Sequence, residues 1–222
     1  MSTWAILAAA GSGDRLGADT PKAFVRLGER VLLAEALERL EASDWIDGIV
    51  VAVPPGWEEP ASLLADELGC GKVTASVAGG VARSESVRNA LADVPEEAVA
   101  VLVHDAARPL VEDEVVGRVL AALGEGWEGA VPVLPIPDTV KRVDGERVVE
   151  TLDRSVLRTV QTPQAFLAPV LRAALAGDVS SASDCASLVE ANGGRVKAVP
   201  GDPRLVKVTE PADLDRVAAY LQ

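Results

Sequence analysis

Residues 4–22 of this 222-residue chain read WAILAAAGSGDRLGADTPK, an apolar run followed at once by a loop of small residues. The run Trp4–Ala9 predicts a buried strand. The alanines and glycines at its end let the backbone approach a ligand closely, and their N–H groups are free to point at it. Arg15 and Lys22 add two cations to the same loop. This combination predicts a cradle for a polyphosphate, so we expect the chain to bind a nucleotide.

Two other interpretations of this loop have less support. The string G-x-x-x-x-G-K-[ST] of a P-loop does not occur in the sequence. The dinucleotide fingerprint G-x-G-x-x-G fits poorly, because the third glycine, Gly17, comes one residue late and Pro21 interrupts the helix that should follow. An NAD-dependent oxidoreductase and a plain glycine turn between strand and helix stay open as alternatives. A plain turn, however, has no need of two cations.

Composition limits the class of protein. The chain is 49% hydrophobic and 25% charged, which is typical of a packed globular core, and its aromatic content of 3% means that Ala, Val and Leu must fill that core. A net charge of −13 speaks against nucleic acid or an anionic membrane as partner. Cys70 and Cys185 lie far apart in sequence, and no Lys or Arg precedes the short apolar run, so we expect no disulfide framework, no secretion signal and a cytoplasmic location.

Apolar runs alternate with segments of helical spacing along most of the chain. Strands are predicted at 4–9, 48–53, 73–78, 99–103, 129–133, 195–199 and 205–208, and helices at 31–42, 58–68, 84–92, 112–123, 168–176, 183–191 and 211–221, with Thr209 as the N-cap of the last. This alternation predicts an α/β fold with a Rossmann-like, doubly wound, mostly parallel sheet. Ligands bind at the carboxyl ends of such strands, so the loops 11–22, 79–86 and 104–109 are the expected site.

The alternation breaks between residues 137 and 159. Two alternating runs, 139–143 and 147–151, flank Asp144-Gly145-Glu146, which is a strong β-hairpin signal. A lone two-stranded hairpin is marginal in water. We therefore expect a protruding β-arm at 137–159 that docks on another subunit, and an α/β domain made of 1–136 and 160–222. A hairpin folded against its own domain is the alternative.

Further segments with unusual residues are GGVARSES at 79–86, HDAARP at 104–109, Asp153-Arg154, QTPQ at 161–164 and VKVT at 206–209. Together with the loop at 11–22 they resemble, in order and spacing, the 2-C-methyl-D-erythritol 4-phosphate cytidylyltransferase family, from residue 5 to about residue 219. The resemblance implies a fold of the nucleotide-diphospho-sugar transferase type. It also implies an enzyme of isoprenoid synthesis that joins CTP to 2-C-methyl-D-erythritol 4-phosphate and releases pyrophosphate.

The resemblance further implies a role for each site residue. Four cations are the expected catalytic residues. Arg15 and Lys22 are expected to lie against the triphosphate, and Arg154 and Lys207 are expected to align the attacking phosphate. Residues implied to hold the cytidine nucleotide are Ala8, Ala9, Ala10, Gly11, Ser12, Gly13, Gly80, Ser86 and Ala106. Residues implied to contact the acceptor are Asp105, Arg108, Thr139, Thr162 and Ser183. Family members are homodimers that exchange an arm, so Thr139, Arg154 and Thr162 are expected to reach a neighbour's site.

The implied chemistry needs no side-chain nucleophile, because the acceptor phosphate is itself an anion. Two unit charges ~4 Å apart repel by about 4 kcal/mol at an effective dielectric of about 20, so cations must offset this repulsion. Mg²⁺ is the expected cofactor, held mainly by the CTP phosphates, and we predict no protein metal site. His104 is interpreted as a structural residue. A ribitol-5-phosphate cytidylyltransferase and a non-catalytic CTP-binding sensor are the alternatives.

The sequence departs from the family pattern at two places. Ala82 stands where the family usually carries Glu, and the usual Thr-Asp-Glu/Asp-Ala reads Ser183-Asp184-Cys185-Ala186 here. Ser183 still offers a hydroxyl, so we expect its acceptor contact to survive. The substitution of Cys185 for an acid leaves the role of that acid open.

Overall fold

The computed structural model describes residues 2–180 and 182–221. Its strands are β1 Thr3–Ala8, β2 Arg26–Leu27, β3 Arg30–Val31, β4 Gly48–Val53, β5 Val73–Ala78, β6 Ala100–Asp105, β7 Gly129–Pro135, β8 Lys141–Asp144, β9 Arg147–Thr151, β10 Arg158–Val160, β11 Gln164–Leu167 and β12 Val196–Pro200. Its helices are α1 Leu32–Glu41, α2 Glu58–Glu67, α3 Arg83–Leu91, α4 Asp113–Gly124, α5 Ala168–Leu175, α6 Cys185–Ala191 and α7 Pro211–Ala219. Within these residues, no helix has the length and apolar character needed to cross a membrane.

Eight strands form the central sheet. Strands β7, β11, β6, β1, β4 and β5 follow one another in that order, and β10 and β12 both pair with β7. The pairs β6–β1, β1–β4, β4–β5 and β7–β12 are parallel, whereas β11 runs antiparallel to both of its neighbours. Ala8 is in register with Ala52 and with Asp105, so β1, β4 and β6 reach their carboxyl ends at one level. This register brings the loops that follow these strands together at one edge.

Helices cover both faces of the sheet, which confirms the doubly wound prediction. Leu37 of α1 and Val119 of α4 lie in one apolar cluster, and Val87 of α3 and Leu171 of α5 lie in the other. Small aliphatic residues make up most of both clusters, as the low aromatic content predicts. Phe166 of β11 is the largest fully buried side chain.

Residues 205–208 do not form the predicted strand. Their backbone is held by loop contacts instead, since the N–H of Val208 donates to the carbonyl of Ala107 at 2.8 Å. Leu205 is buried against the sheet-face cluster that contains α1 and α4, whereas Val206 and Val208 pack in a third, small cluster with Val217 of α7. The apolar pattern of this segment therefore reflects packing between α7 and the sheet rather than pairing with a sheet edge.

The predicted start of α7 at Pro211 is confirmed, but its N-cap and the start of α6 differ from the predictions. The N-cap of α7 is Glu210, not Thr209, because the Asp213 carboxylate accepts from the backbone N–H groups of both residues, at 3.0 and 2.9 Å. Helix α6 begins at Cys185, because the side chain of Asp184 caps it and accepts from the N–H of Ser187 at 2.9 Å. The predicted start of that helix at Ser183 is therefore two residues too early.

The predicted hairpin is present and forms its own two-stranded sheet from β8 and β9. Every residue of these two strands is exposed. The chain re-enters the central sheet at Arg158, which pairs with Pro135 of β7, so the last residues of the stretch 137–159 belong to the main sheet.

Truncation of Phe166 tests the account of the core. The side chain is fully buried against Gly129 of β7, where a Cβ atom would lie 2.7 Å from the Phe166 ring. We expect Phe166→Ala to lower the free energy of unfolding by about 3–5 kcal/mol, as truncations of buried aromatic residues do. Urea denaturation would measure the change. Leu63→Ala, at a half-exposed position of α2, is the control and should lower the free energy of unfolding much less. Equal losses in the two variants would contradict the placement of Phe166 in the core.

Candidate active site

A cavity of about 340 Å³ lies at the carboxyl ends of β1, β5 and β6. Its lining includes all nine residues expected to hold the nucleotide: Ala8, Ala9, Ala10, Gly11, Ser12, Gly13, Gly80, Ser86 and Ala106. Arg15, Lys22, Asp105 and Lys207 also line it. The structure thus brings three of the four predicted catalytic cations to the predicted nucleotide loops.

The loop after β1 presents free backbone donors to this cavity. Gly13 adopts φ +81°, and a Cβ atom there would lie 3.1 Å from the backbone of Lys22, so only glycine fits this close approach. The N–H of Lys22 donates to the carbonyl of Gly11 at 3.1 Å, which closes the loop. The N–H groups of Gly11, Ser12 and Gly13 donate to no group in the described part of the chain. Clustered free amides of this kind suit an anion.

The loop after β5 forms the opposite wall. A Cβ atom on Gly79 would lie 2.4 Å from the Cβ of Ala10, so a side chain there would separate the two loops. The hydroxyl of Ser86 accepts from the N–H of Gly80 at 3.0 Å and donates to the carbonyl of Ala82 at 3.1 Å. Ser86 therefore shapes the turn that lines the cavity.

The lysines in the cavity stand close to one another. Burial, together with the nearby charges of Lys207 and Arg15, lowers the pKa of Lys22 to about 8, although Asp105 acts in the opposite direction. Burial is the largest of these causes, and repulsion from the two nearby cations adds to it. The gathering of Arg15, Lys22 and Lys207 around one cavity favours a polyanionic ligand.

Asp105 connects the cations at the end of β6. The residue is only 6% exposed, and its two carboxylate oxygens bind different partners. Oδ1 accepts from Arg83 Nε at 2.7 Å, and Oδ2 accepts from Lys207 Nζ at 2.8 Å. Burial alone would raise the pKa of this carboxyl, but the charges of Arg83 and Lys207 hold it well below its usual range. Asp105 is therefore ionised, and it fixes both cations.

A second, smaller cavity adjoins the first. The two share Arg83, Asp105 and Lys207 in their linings. Four predicted acceptor residues line the second cavity: Asp105, Arg108, Thr162 and Ser183. Sequence reasoning missed Arg83, Gln161, Gln164 and Asp184 as lining residues, although the first three lie in the GGVARSES and QTPQ segments that it had singled out.

The second cavity also gathers unpaired polar atoms. Four buried side-chain polar atoms lack a hydrogen-bond partner within residues 2–180 and 182–221, and three of them belong to residues of this lining. These three are Arg83 Nη2, Arg108 Nε and Gln164 Oε1. Because buried polar groups nearly always have partners, this concentration indicates a place for a polar ligand or water.

Thr139 and Arg154 line neither cavity of their own chain. Both are exposed within the arm, on either side of its hairpin, and the Arg154 guanidinium donates to the carbonyl of Pro137. Thr162 was expected to reach a neighbour's site, but it lies in the second cavity of its own chain. The reason is its contact with the end of β6, where its hydroxyl oxygen accepts from the N–H of Asp105 at 3.1 Å.

Solved structures of known proteins share this fold. The crystal structure of 2-C-methyl-D-erythritol 4-phosphate cytidylyltransferase from Thermus thermophilus superposes with a TM-score of 0.80 at 36% identity, covering 99% of this chain and 98% of that one. A crystal structure of 4-diphosphocytidyl-2C-methyl-D-erythritol synthase superposes with a TM-score of 0.83 at 34% identity, covering 100% and 98% of the two chains. Fold and site together define a protein of the nucleotidyltransferase class.

Sequence comparisons identify the family. The family model described as "IspD: 2-C-methyl-D-erythritol 4-phosphate cytidylyltransferase" matches residues 3–222. The 2-C-methyl-D-erythritol 4-phosphate cytidylyltransferase of Nocardia farcinica is 47% identical, over 96% of this chain and 91% of the relative. That of Saccharopolyspora erythraea is 45% identical, over 100% of both. The chain belongs to the 2-C-methyl-D-erythritol 4-phosphate cytidylyltransferase (IspD) family.

The lowered pKa of Lys22 predicts how nucleotide binding depends on pH. In the free protein Lys22 is charged below about pH 8 and loses its proton as the pH rises through that value. We expect the dissociation constant of CTP to rise by up to about tenfold between pH 7 and 9, because the triphosphate then meets a neutral amine. Lys22→Arg keeps its charge and should show a flatter profile. Calorimetric titration of both proteins would measure this, and parallel profiles would contradict the assignment.

Proposed function

We propose that the protein transfers CMP from CTP to 2-C-methyl-D-erythritol 4-phosphate. An oxygen of the acceptor phosphate attacks the α-phosphorus of CTP in line, a new P–O–P bond forms, and the bond to the β-phosphate oxygen breaks. The products are 4-diphosphocytidyl-2-C-methyl-D-erythritol and pyrophosphate. Family membership and the activity for which the relatives are named support this reaction.

The observation that carries the proposal is the pair of adjoining cavities with a shared wall of Arg83, Asp105 and Lys207. The larger cavity contains the free amides and cations that suit a triphosphate. The smaller one contains hydroxyl, amide and carboxylate groups that suit a sugar-alcohol. A two-substrate transfer needs both sites in contact, whereas a CTP sensor would need only the larger one.

Arg15 and Lys22 are assigned to the triphosphate. Negative charge grows on the leaving pyrophosphate as the P–O bond breaks, so fixed cations beside it stabilise the transition state more than the bound substrate. Lys207 lies on the wall between the cavities, where it can bind the acceptor phosphate and reduce its repulsion from CTP. No proton transfer to a side chain is required, because the nucleophile is already ionised.

Mg²⁺ is assigned to the CTP phosphates. Mg²⁺ prefers substrate phosphates, water and one or two carboxylates to an all-protein cage. The larger cavity fits that preference, because two carboxylates line it, those of Asp14 and Asp105. Asp105 is already paired with Arg83 and Lys207, so the phosphates and water would supply most of the ligands of the ion. When bound, the ion neutralises charge on the triphosphate oxygens.

We further propose that the arm completes a neighbour's site in a homodimer. The arm exposes apolar side chains that a single chain leaves uncovered: Val143, Val148 and Val149 in the hairpin and Val156 just after it. Arg154 and Thr139 lie in the arm on either side of the hairpin, and outside both cavities of their own chain. Exchange of arms between two copies would cover this apolar surface and would bring Arg154 to the acceptor phosphate.

The cysteines favour a reducing compartment, and we infer a cytoplasmic location. Cys70 and Cys185 are buried free thiols. Burial raises the pKa of both, that of Cys70 to about 11, so they stay protonated and unreactive.

Pyrophosphate release tests the proposed reaction. We expect Mg²⁺-dependent release from CTP with 2-C-methyl-D-erythritol 4-phosphate and much less with ribitol 5-phosphate. Release with ribitol 5-phosphate alone would keep the nucleotide site and overturn the acceptor assignment. Binding of CTP without release with either acceptor would favour a sensor.

Removal of one phosphate-binding cation should lower turnover with little effect on folding. We expect Lys22→Ala to reduce kcat by about 10²–10³, the usual loss for one preorganised donor. Lys197→Ala is the matched control, since Lys197 lies outside both cavities and pairs with Glu125 at the surface. Near-normal turnover of Lys22→Ala would remove Lys22 from the mechanism.

Mixing two inactive variants tests arm exchange. Arg154→Ala and Lys22→Ala should each be inactive alone. In a mixed dimer, one site would combine an intact Lys22 with an intact Arg154, so co-refolding should restore up to about a quarter of wild-type activity if subunits mix at random. Mixed dimers that form, as shown by differently tagged copies, but stay inactive would contradict arm exchange.

A further inference from the structure

His104, the single histidine of the chain, lies next to Asp105 and is fully buried at the end of β6. Both of its ring nitrogens have partners. Nδ1 lies 3.1 Å from the hydroxyl oxygen of Thr162, and Nε2 lies 3.0 Å from the carbonyl oxygen of Arg108. The ring therefore joins two residues that line the second cavity.

The chemistry of these partners fixes the direction of every proton. A carbonyl oxygen can only accept, so Nε2 of His104 carries the proton and donates it to Arg108. Nδ1 then has no proton and accepts from the hydroxyl of Thr162. The oxygen of that hydroxyl in turn accepts from the N–H of Asp105 at 3.1 Å. The result is one directed chain: Asp105 N–H to Thr162 O–H to His104 Nδ1, and His104 Nε2–H to the Arg108 carbonyl.

Burial keeps the ring in the neutral form that this chain of hydrogen bonds requires. It lowers the pKa of His104 to about 4, against the opposing effects of the Arg108 carbonyl and the Asp105 charge. The charged groups around the ring are Asp105, Arg108 and Arg83. At neutral pH the imidazole therefore has one tautomer and one set of partners.

We propose that His104 is a positioning residue for the acceptor site, and that it acts by holding Thr162 and Arg108 in place through this chain of hydrogen bonds. The proposal rests on the proposed function, because it assigns the second cavity to the acceptor. It also changes the role of Thr162. The proton of its hydroxyl is used inside the protein, so Thr162 shapes the cavity wall and offers no proton to a ligand.

The position of the chain of hydrogen bonds explains why the effect should be confined to the acceptor. Thr162 and Arg108 line only the second cavity, whereas the nucleotide loops line the first. Arg108 additionally donates to the carbonyl of Leu205 at 2.6 Å, two residues before Lys207. Loss of His104 should therefore disturb acceptor binding and leave CTP binding nearly unchanged.

Nitrogen NMR of the histidine ring tests the hydrogen-bond chain independently of activity. The protein has a single histidine, so the ring signals need no assignment. At pH 7 we expect a neutral ring with Nε2 protonated and Nδ1 unprotonated. A ring protonated at Nδ1, or a charged imidazolium, would overturn the proposal. Thr162→Val should shift the Nδ1 signal, whereas Thr74→Val, at an exposed position of β5 outside both cavities, should not.

A double-mutant cycle tests the positioning role. His104→Gln keeps an N–H near Arg108 and removes the acceptor at Nδ1, and Thr162→Val removes the hydroxyl. We expect each to raise KM for the acceptor about tenfold, with KM for CTP within about twofold of wild type. The KM of the double variant for the acceptor should be little higher than that of either single variant, because both substitutions break the same chain of hydrogen bonds. Thr162→Ser, which keeps the hydroxyl, should recover most of the affinity, and Thr74→Val should behave as wild type.

The outcomes separate this proposal from the proposed function. A folded wild-type protein that turns over neither acceptor overturns the function and, with it, the role given to His104. A wild type that turns over 2-C-methyl-D-erythritol 4-phosphate, with KM values for CTP and acceptor rising equally in both variants, overturns the positioning role alone. A KM for the acceptor that is about a hundredfold above wild type in the double variant would also overturn the positioning role. Additive losses would mean that Thr162 and His104 act independently.

Discussion

A buried carboxylate needs partners, and the double pairing of Asp105 is the constraint on which the site depends. An ionised group that is nearly excluded from water is tolerated only when opposite charges and hydrogen bonds satisfy it. Asp105 meets this condition with Arg83 on one oxygen and Lys207 on the other. These two partners come from distant parts of the chain, α3 and the segment before α7. Their meeting at one carboxylate fixes the wall that both cavities share.

The sheet supplies the rest of this arrangement. Parallel pairing of β6, β1, β4 and β5 brings their carboxyl ends to one edge, so the loops after β1, β5 and β6 surround the nucleotide cavity. The antiparallel strand β11 pairs with β6, with Gln164 opposite Val103, and so brings the residues before it against the end of β6. This placement is why Thr162 meets both Asp105 and His104. The second cavity thus depends on a strand that runs against the parallel pattern.

The parts of the fold that sequence predicted are those set by local pattern. Alternating strand and helix periodicity indicated the doubly wound sheet, and Asp144-Gly145 marked the hairpin, because turn chemistry and burial act over a few residues. The apolar pattern of residues 205–208 predicted a strand that the structure does not form, because a local pattern does not show which part of the fold a segment packs against. Val206 and Val208 pack against Val217, a contact that no local pattern contains. The nucleotide residues were found because glycines and cations lie together in sequence, whereas Arg83 and Gln164 reach the second cavity only through tertiary contacts.

A crystal structure with CTP and Mg²⁺ would test the central claim most directly. The account predicts the triphosphate against the amides of Gly11, Ser12 and Gly13, with Arg15 and Lys22 in contact with phosphate oxygens. It also predicts that the α-phosphate faces the wall formed by Asp105 and Lys207, open to the second cavity. A triphosphate bound elsewhere, or an α-phosphate turned away from that wall, would contradict the assignment of the two cavities to donor and acceptor.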